Sequence, residues 1–166
     1  MRRPSRRSGR PDLGAGERLL AWAQAGDGTW IGGSAGALFL GETRVPWSEV
    51  ESADWDRDTE HLRVVEVGEW GRVRPTHQFD LAEPGRLLEL IRERVTSSVV
   101  LQRHEAVHGR RGVRVVGRRD PAGAGSSDVR WFFSYDEGID PADPEVATQA
   151  ESLLAAAKSD LGLGPA

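Results

Sequence analysis

His104-Glu105-Ala106-Val107-His108 is a stretch whose residue types and spacing could make a metallohydrolase. On a helix, residues four apart share a face. Two imidazoles then reach one Zn²⁺ while the glutamate between them polarises a bound water. Such a site also needs a third ligand, and Asp120, Asp128 and Asp136 are the candidates downstream. None of them sits on a recognisable second ligand helix. The metzincin extension fails as well, because Arg111 and Arg114 stand where Gly and His would be needed.

The surrounding residues predict a strand instead. Residues 95–107 read Val-Thr-Ser-Ser-Val-Val-Leu-Gln-Arg-His-Glu-Ala-Val, and β-branched side chains favour a pleated surface. A Gly-containing turn follows at 108–112, then a second β-like run, Val113-Arg114-Val115-Val116. That is a hairpin signature. On a strand the two histidines stand roughly 13 Å apart, at about 3.3 Å per residue, too far to share one metal. The sequence therefore predicts no catalytic residues, no metal site and no cofactor. A zinc hydrolase stays as the enzymatic alternative and requires a helix over 100–108.

The same hairpin gathers arginines. Arg103, Arg110, Arg111, Arg114 and Arg118 are the candidates for binding an anion or a partner, with Arg119 beside them. Arg114 and Arg118 share a strand face. A solvated, salt-bridged surface is the plainer meaning of such a run. Two further clusters carry less. The Gly-rich stretch from Gly28 to Gly41 lacks the Gly-Lys-Ser/Thr of a phosphate loop. Asp54, Asp56, Asp58, Glu60 and His61 lack the Gly and terminal Glu of a calcium loop, so a solvated hairpin is expected.

Composition frames these residues. The 166-residue chain is 38% hydrophobic and has no cysteine, which removes disulfides, thiolate metal ligands and thiol nucleophiles. No apolar run is long enough to span a membrane, and the reading is a cytoplasmic protein. Arg2, Arg3, Arg6, Arg7 and Arg10 put +5 on the first ten residues of a chain with net charge −4, leaving −9 for the remainder. Residues 1–16 read as a disordered basic tail. With the hairpin arginines, that tail makes nucleic-acid binding a second alternative, disfavoured by the acidity elsewhere. Arginine outnumbers lysine 21 to 1, which weakens any inference from arginine clusters.

The elements that must position these residues are mostly short strands, expected at 18–23, 29–31, 37–40, 44–47, 50–55, 61–67 and 72–81. Gly32 to Gly36 reads as a flexible connection. In 61–67, Leu62, Val64 and Glu66 face one way and His61, Arg63, Val65 and Val67 the other. The period then changes from 2 to 3.6. Pro84 fits a first helical turn, and Leu87, Leu88, Ile91 and Val95 form an apolar stripe.

Within this region Leu38-Phe39-Leu40, then Val45-Pro46-Trp47-Ser48-Glu49-Val50, then Leu62-Arg63-Val64 ahead of a single helix resembles bacterial pleckstrin-homology-like domains. The whole chain is also similar to small uncharacterised actinobacterial proteins. The first resemblance covers about residues 17–98. It implies a small antiparallel barrel of seven strands capped by a helix, and a role in binding or assembly. Members that bind phosphoinositides use basic residues in the first hairpin loop. Here that loop is Ala25-Gly26-Asp27-Gly28, so lipid binding is not implied.

Residues 99–166 read as a second unit packed on the first: a three-stranded antiparallel meander at 99–107, 113–119 and 129–135, then a C-terminal helix. Trp131, Phe133 and Tyr135 share one strand face, with Phe132 opposite, and are expected in the core. The helix has Asp143 as N-cap, Pro144 at its first position and Gly162 past its end. Val146, Ala150, Leu153, Ala157 and Leu161 make its buried stripe. The whole is an α+β chain. The expected function is a non-catalytic interaction module whose partner is another protein.

Overall fold

Trp47 is fully buried and organises the first half of the chain, its indole N–H donating to the Ser34 carbonyl at 3.0 Å. A computed structural model of the chain describes residues 13, 16–69, 72–122 and 128–164. The N-terminal arginines at 2–10 and the loop residues 123–127 lie outside them.

The architecture is α+β, and the described residues form three antiparallel sheets and two helices. Strands β1 (Ala21–Gln24), β2 (Trp30–Gly33), β3 (Ala37–Leu40) and β4 (Thr43–Pro46) form a four-stranded meander. A 3-10 turn at Trp47–Glu49 leads into a second meander of β5 (Val50–Asp56), β6 (His61–Glu66) and β7 (Thr76–Asp80). Helix α1 (Leu87–Ser98) follows. Ile31, Leu38, Val45, Trp47, Leu62, Val64, Leu81, Leu87 and Ile91 share one core.

Two expectations need correction here. The expected barrel is not closed: among the described residues no ladder joins the four-stranded to the three-stranded sheet, and a backbone bond from Gly26 N–H to Asp80 O, 2.8 Å, links them at one corner. Gly32 and Gly33 belong to β2 rather than to a flexible connection. A Cβ on Gly33 would stand 2.6 Å from Leu90 Cδ2 and 3.1 Å from Trp47 Cζ2, so the glycine lets the helix and the indole close on the strand.

The second half is one sheet and one helix. Strands β8 (Val99–His108), β9 (Arg111–Arg118) and β10 (Arg130–Tyr135) lie in the order β10-β9-β8. Register puts Trp131, Gly117 and Leu101 in one row, Phe133, Val115 and Arg103 in the next, and Tyr135, Val113 and Glu105 in a third. These rows face helix α2 (Pro144–Asp160), whose Ala150, Leu153 and Ala157 pack on Val113 and Val115. The helix begins as its residues require, with the Asp143 carboxylate accepting from Glu145 N–H at 2.9 Å. Trp131 lies across Gly117, where an added Cβ would meet Cζ3 of the ring at 2.8 Å.

Candidate functional site

The His-Glu-x-x-His pattern lies on β8, so its two histidines do not share a helix face. His104 Nε2 meets Asp136 Oδ2 at 2.9 Å, and that same oxygen accepts from Gly112 N–H at 2.8 Å. These bonds, the imidazole first, hold the Asp136 carboxyl below its usual range. His108 sits beyond a bulge at the end of the strand, opposite Arg111. Asp120, a further ligand candidate, accepts from Ala122 N–H at 2.9 Å. Among the described residues, no three histidines or carboxylates are grouped to hold a metal ion. The acidic hairpin Asp56–Glu60 is held as a turn, the Asp56 carboxylate accepting from Asp58 N–H at 2.8 Å and Thr59 N–H at 3.1 Å.

The five candidate arginines separate into distinct roles. Arg103 is on the helix-facing side of β8 and pairs with Asp160 near the end of α2, at 2.5 Å. Arg111 donates to the Glu137 carbonyl at 3.3 Å, and exposed Arg110 lies in the β8–β9 turn. Arg118 is turned inward and is 8% exposed. Its guanidinium donates to Val50 O at 3.0 Å, Ser98 Oγ at 2.9 Å and Glu51 O at 3.3 Å. Burial pulls its pKa below the ordinary arginine value, against the opposing field of Glu51. Arg118 therefore joins the two halves and has few donors left for a ligand.

Arg114 is different. It shares a sheet face with Arg118, as the alternation of β9 requires, on the side away from α2. Its row runs Ser134, Arg114, His104, and the neighbouring row Phe132, Val116, Gln102. That face and β5, with the segment after β6, enclose a cleft of about 260 Å³ whose walls include Glu51, Arg74, Gln102, Arg114, Phe132 and Ser134. Arg114 Nε is buried without a hydrogen-bond partner. A second depression of about 520 Å³ shares Val67, Gly68, Phe132 and Phe133 with this cleft and forms a gutter along β10, lined also by Arg130, Trp131 and Tyr135.

Acids along this cleft are each answered by an arginine. Glu49 pairs with Arg130, Glu51 with Arg74, and Glu69 with Arg72 at 3.4 Å. Arg114 feels Asp136 through space but makes no hydrogen bond with it. Strand β10 pairs with β9 alone among the described strands, and Arg130 to Phe133 and Tyr135 line the gutter.

Sequence reasoning placed Arg114 among the candidates and missed Arg74, Gln102, Arg130 and Ser134. Phe132 was legible as the aromatic facing away from its three neighbours. Nothing in the sequence shows that the segment after β6 comes to lie beside β10. No family model matches the chain, and neither a curated protein nor a solved structure matches it.

Proposed function

We propose that the chain is a non-catalytic, cytoplasmic protein-interaction module that receives an extended segment of another protein along the outer side of β10. The observation that carries this reading is the gutter itself. A strand that pairs on one side alone among the described strands, with aromatic side chains on one face and an arginine-bearing cleft on the other, supports strand addition with side-chain contacts on both faces. Open edges are otherwise covered or blunted in soluble proteins, because they template pairing with other chains.

A pleckstrin-homology-like reading of the first half belongs to the same proposal. Its support is the chain order of four strands, three strands and one helix, with the Val45-Pro46-Trp47 run placing Trp47 at the centre of the core. The second half would then be an appended unit that completes the groove.

The test is a photo-crosslinking amino acid placed at Phe132, beside the gutter, and at Glu151, on the exposed side of α2, in the living source cell. A discrete protein adduct from position 132 and none from position 151 is the expected result. No adduct from 132, or the same adducts from both positions, overturns the reading.

A further inference from the structure

We infer that the outer edge of β8 is a docking surface for a second copy of this chain, the two strands pairing antiparallel about a two-fold axis at His104. This inference is independent of strand addition at β10.

The open edge is the first argument. Among the described strands β8 pairs with β9 alone, and Gln102, Arg103, His104, Glu105 and Ala106 are all exposed. One edge of this stretch is in the ladder with β9 and one face lies against α2, so five successive exposed residues put solvent at the other edge. Backbone direction agrees. Gly112 bonds toward β10 through both its N–H, at 2.8 Å, and its carbonyl, at 2.9 Å. Successive residues of an antiparallel strand bond to opposite sides, so Val113, Val115 and Gly117 turn to β8. Their partners Glu105, Arg103 and Leu101 turn to β9 in return. The backbone N–H and carbonyl groups of Gln102, His104 and Ala106 therefore point outward, and among the described residues nothing bonds to them.

Self-complementarity is the second argument. Charges blunt an edge against most partners, but these charges match their own copy. With His104 opposite His104 of the second copy, Arg103 faces the second copy's Glu105 and Glu105 faces its Arg103. Leu101 and Val107, both only partly buried beside α2, meet in the same way. The outward backbone groups fall into bonding pairs in this register, His104 with His104 and Gln102 with Ala106. Moving the axis by one residue sets Arg103 against Arg103, or Glu105 against Glu105, and like charges directly opposite are unfavourable. Glu105 has no ion pair among the described residues. Arg103 holds Asp160 at 2.5 Å, yet its guanidinium has donors enough for a second carboxylate. On the opposite face each His104 ring is drawn toward its own Asp136, on the β10 side, which keeps the two imidazoles from crowding the axis. The result is an isologous contact that makes two three-stranded sheets one continuous sheet.

The test is sedimentation equilibrium of the full chain. The parent is expected to be a dimer at about 100 μM. Arg103→Glu and Glu105→Arg each set like charges across the axis and should each weaken association about tenfold or more. An equal mixture of the two variants should recover the dimer, because the acids of one then face the arginines of the other. Mixing cannot repair a misfolded chain, so recovery separates a lost contact from a lost fold. A parent chain that stays monomeric at that concentration overturns the inference. So does a dimer that both single variants leave intact, or a mixture no more associated than its components.

Discussion

Arg118, from β9, donates to the backbone carbonyl of Val50, the first residue of β5, at 3.0 Å. A charged group from one half of the chain thus satisfies backbone of the other in a place closed to water. Arg118→Leu should leave the Val50 carbonyl and the Ser98 hydroxyl without this donor, at about 1–3 kcal/mol for each group left unsatisfied. Arg118→Lys should recover part of the loss, since one ammonium cannot fork between the same acceptors. Urea unfolding followed by tryptophan emission checks both. A Leu variant as stable as the parent would show that the buried cation contributes nothing.

Gly112 and Gly109 should respond very differently to alanine. A Cβ at Gly112 would fall 1.8 Å from the Glu105 carbonyl oxygen, and backbone cannot step aside as a flexible side chain can. Gly109 has a positive φ of 65° but nothing within 4 Å of an added Cβ. Gly112→Ala should therefore cost at least the upper end of the roughly 1–3 kcal/mol typical of overpacking. Gly109→Ala should cost about 1–2 kcal/mol, the penalty of left-handed backbone alone. Thermal unfolding of the two variants gives the order directly.

The helix cap makes a smaller and cleaner case. Asp143→Ala removes the acceptor for Glu145 N–H and should destabilise the chain by about 1 kcal/mol. Asp143→Asn, which keeps an acceptor oxygen, should lose less. Equal losses in the two variants would mean that the bond is not what holds the helix start.

Two histidine–carboxylate pairs predict opposite pH limbs. His61 has its pKa raised above 6.5, first by its bond to Asp80 and then by Gln78. Its stabilising effect is present in full below 6.5 and fades as pH rises through the higher folded value. Asp136 has its pKa lowered below 3.8, first by His104 and then by Gly112 N–H. Its contribution is full above 3.8 and fades as pH falls through the folded value. The stability difference between parent and His61→Gln should therefore shrink toward alkaline pH, and that for Asp136→Asn toward acid. Differences that stay flat with pH would contradict both assignments.

Much of the secondary structure was legible because its signals are local. Asp143-Pro144 marked the start of α2, and the alternation in Arg130–Tyr135 placed Trp131, Phe133 and Tyr135 on one face. Boundaries slipped where tertiary contacts decide. Pro84 accepts from Leu87 N–H at 3.0 Å ahead of the helix, so α1 starts at Leu87 rather than around the proline. Gly32 and Gly33 resembled a flexible connection because sequence alone does not show Leu19, Trp22, Leu90 and Trp47 leaning on them. The cleft was the least legible part. Arg103, Arg114 and Arg118 look alike as letters, yet one pairs with an acid on a helix, one lines a cleft and one joins two sheets. Parity separates Arg103 from the other two, and what separates Arg114 from Arg118 on their shared face is the tertiary neighbour each meets, the cleft for one and Val50, Glu51 and Ser98 for the other.

Helix α1 ends at Ser98 and β8 begins at Val99, with no residue between them. A hinge needs a few loose peptide units to absorb rotation, and this junction has none. With Arg118 tying the neighbouring strand to β5, the two sheets are fastened at adjacent points, as plates are by two bolts rather than by a pin. On the proposed reading, a guest at β10 would dock without the two halves turning about this junction.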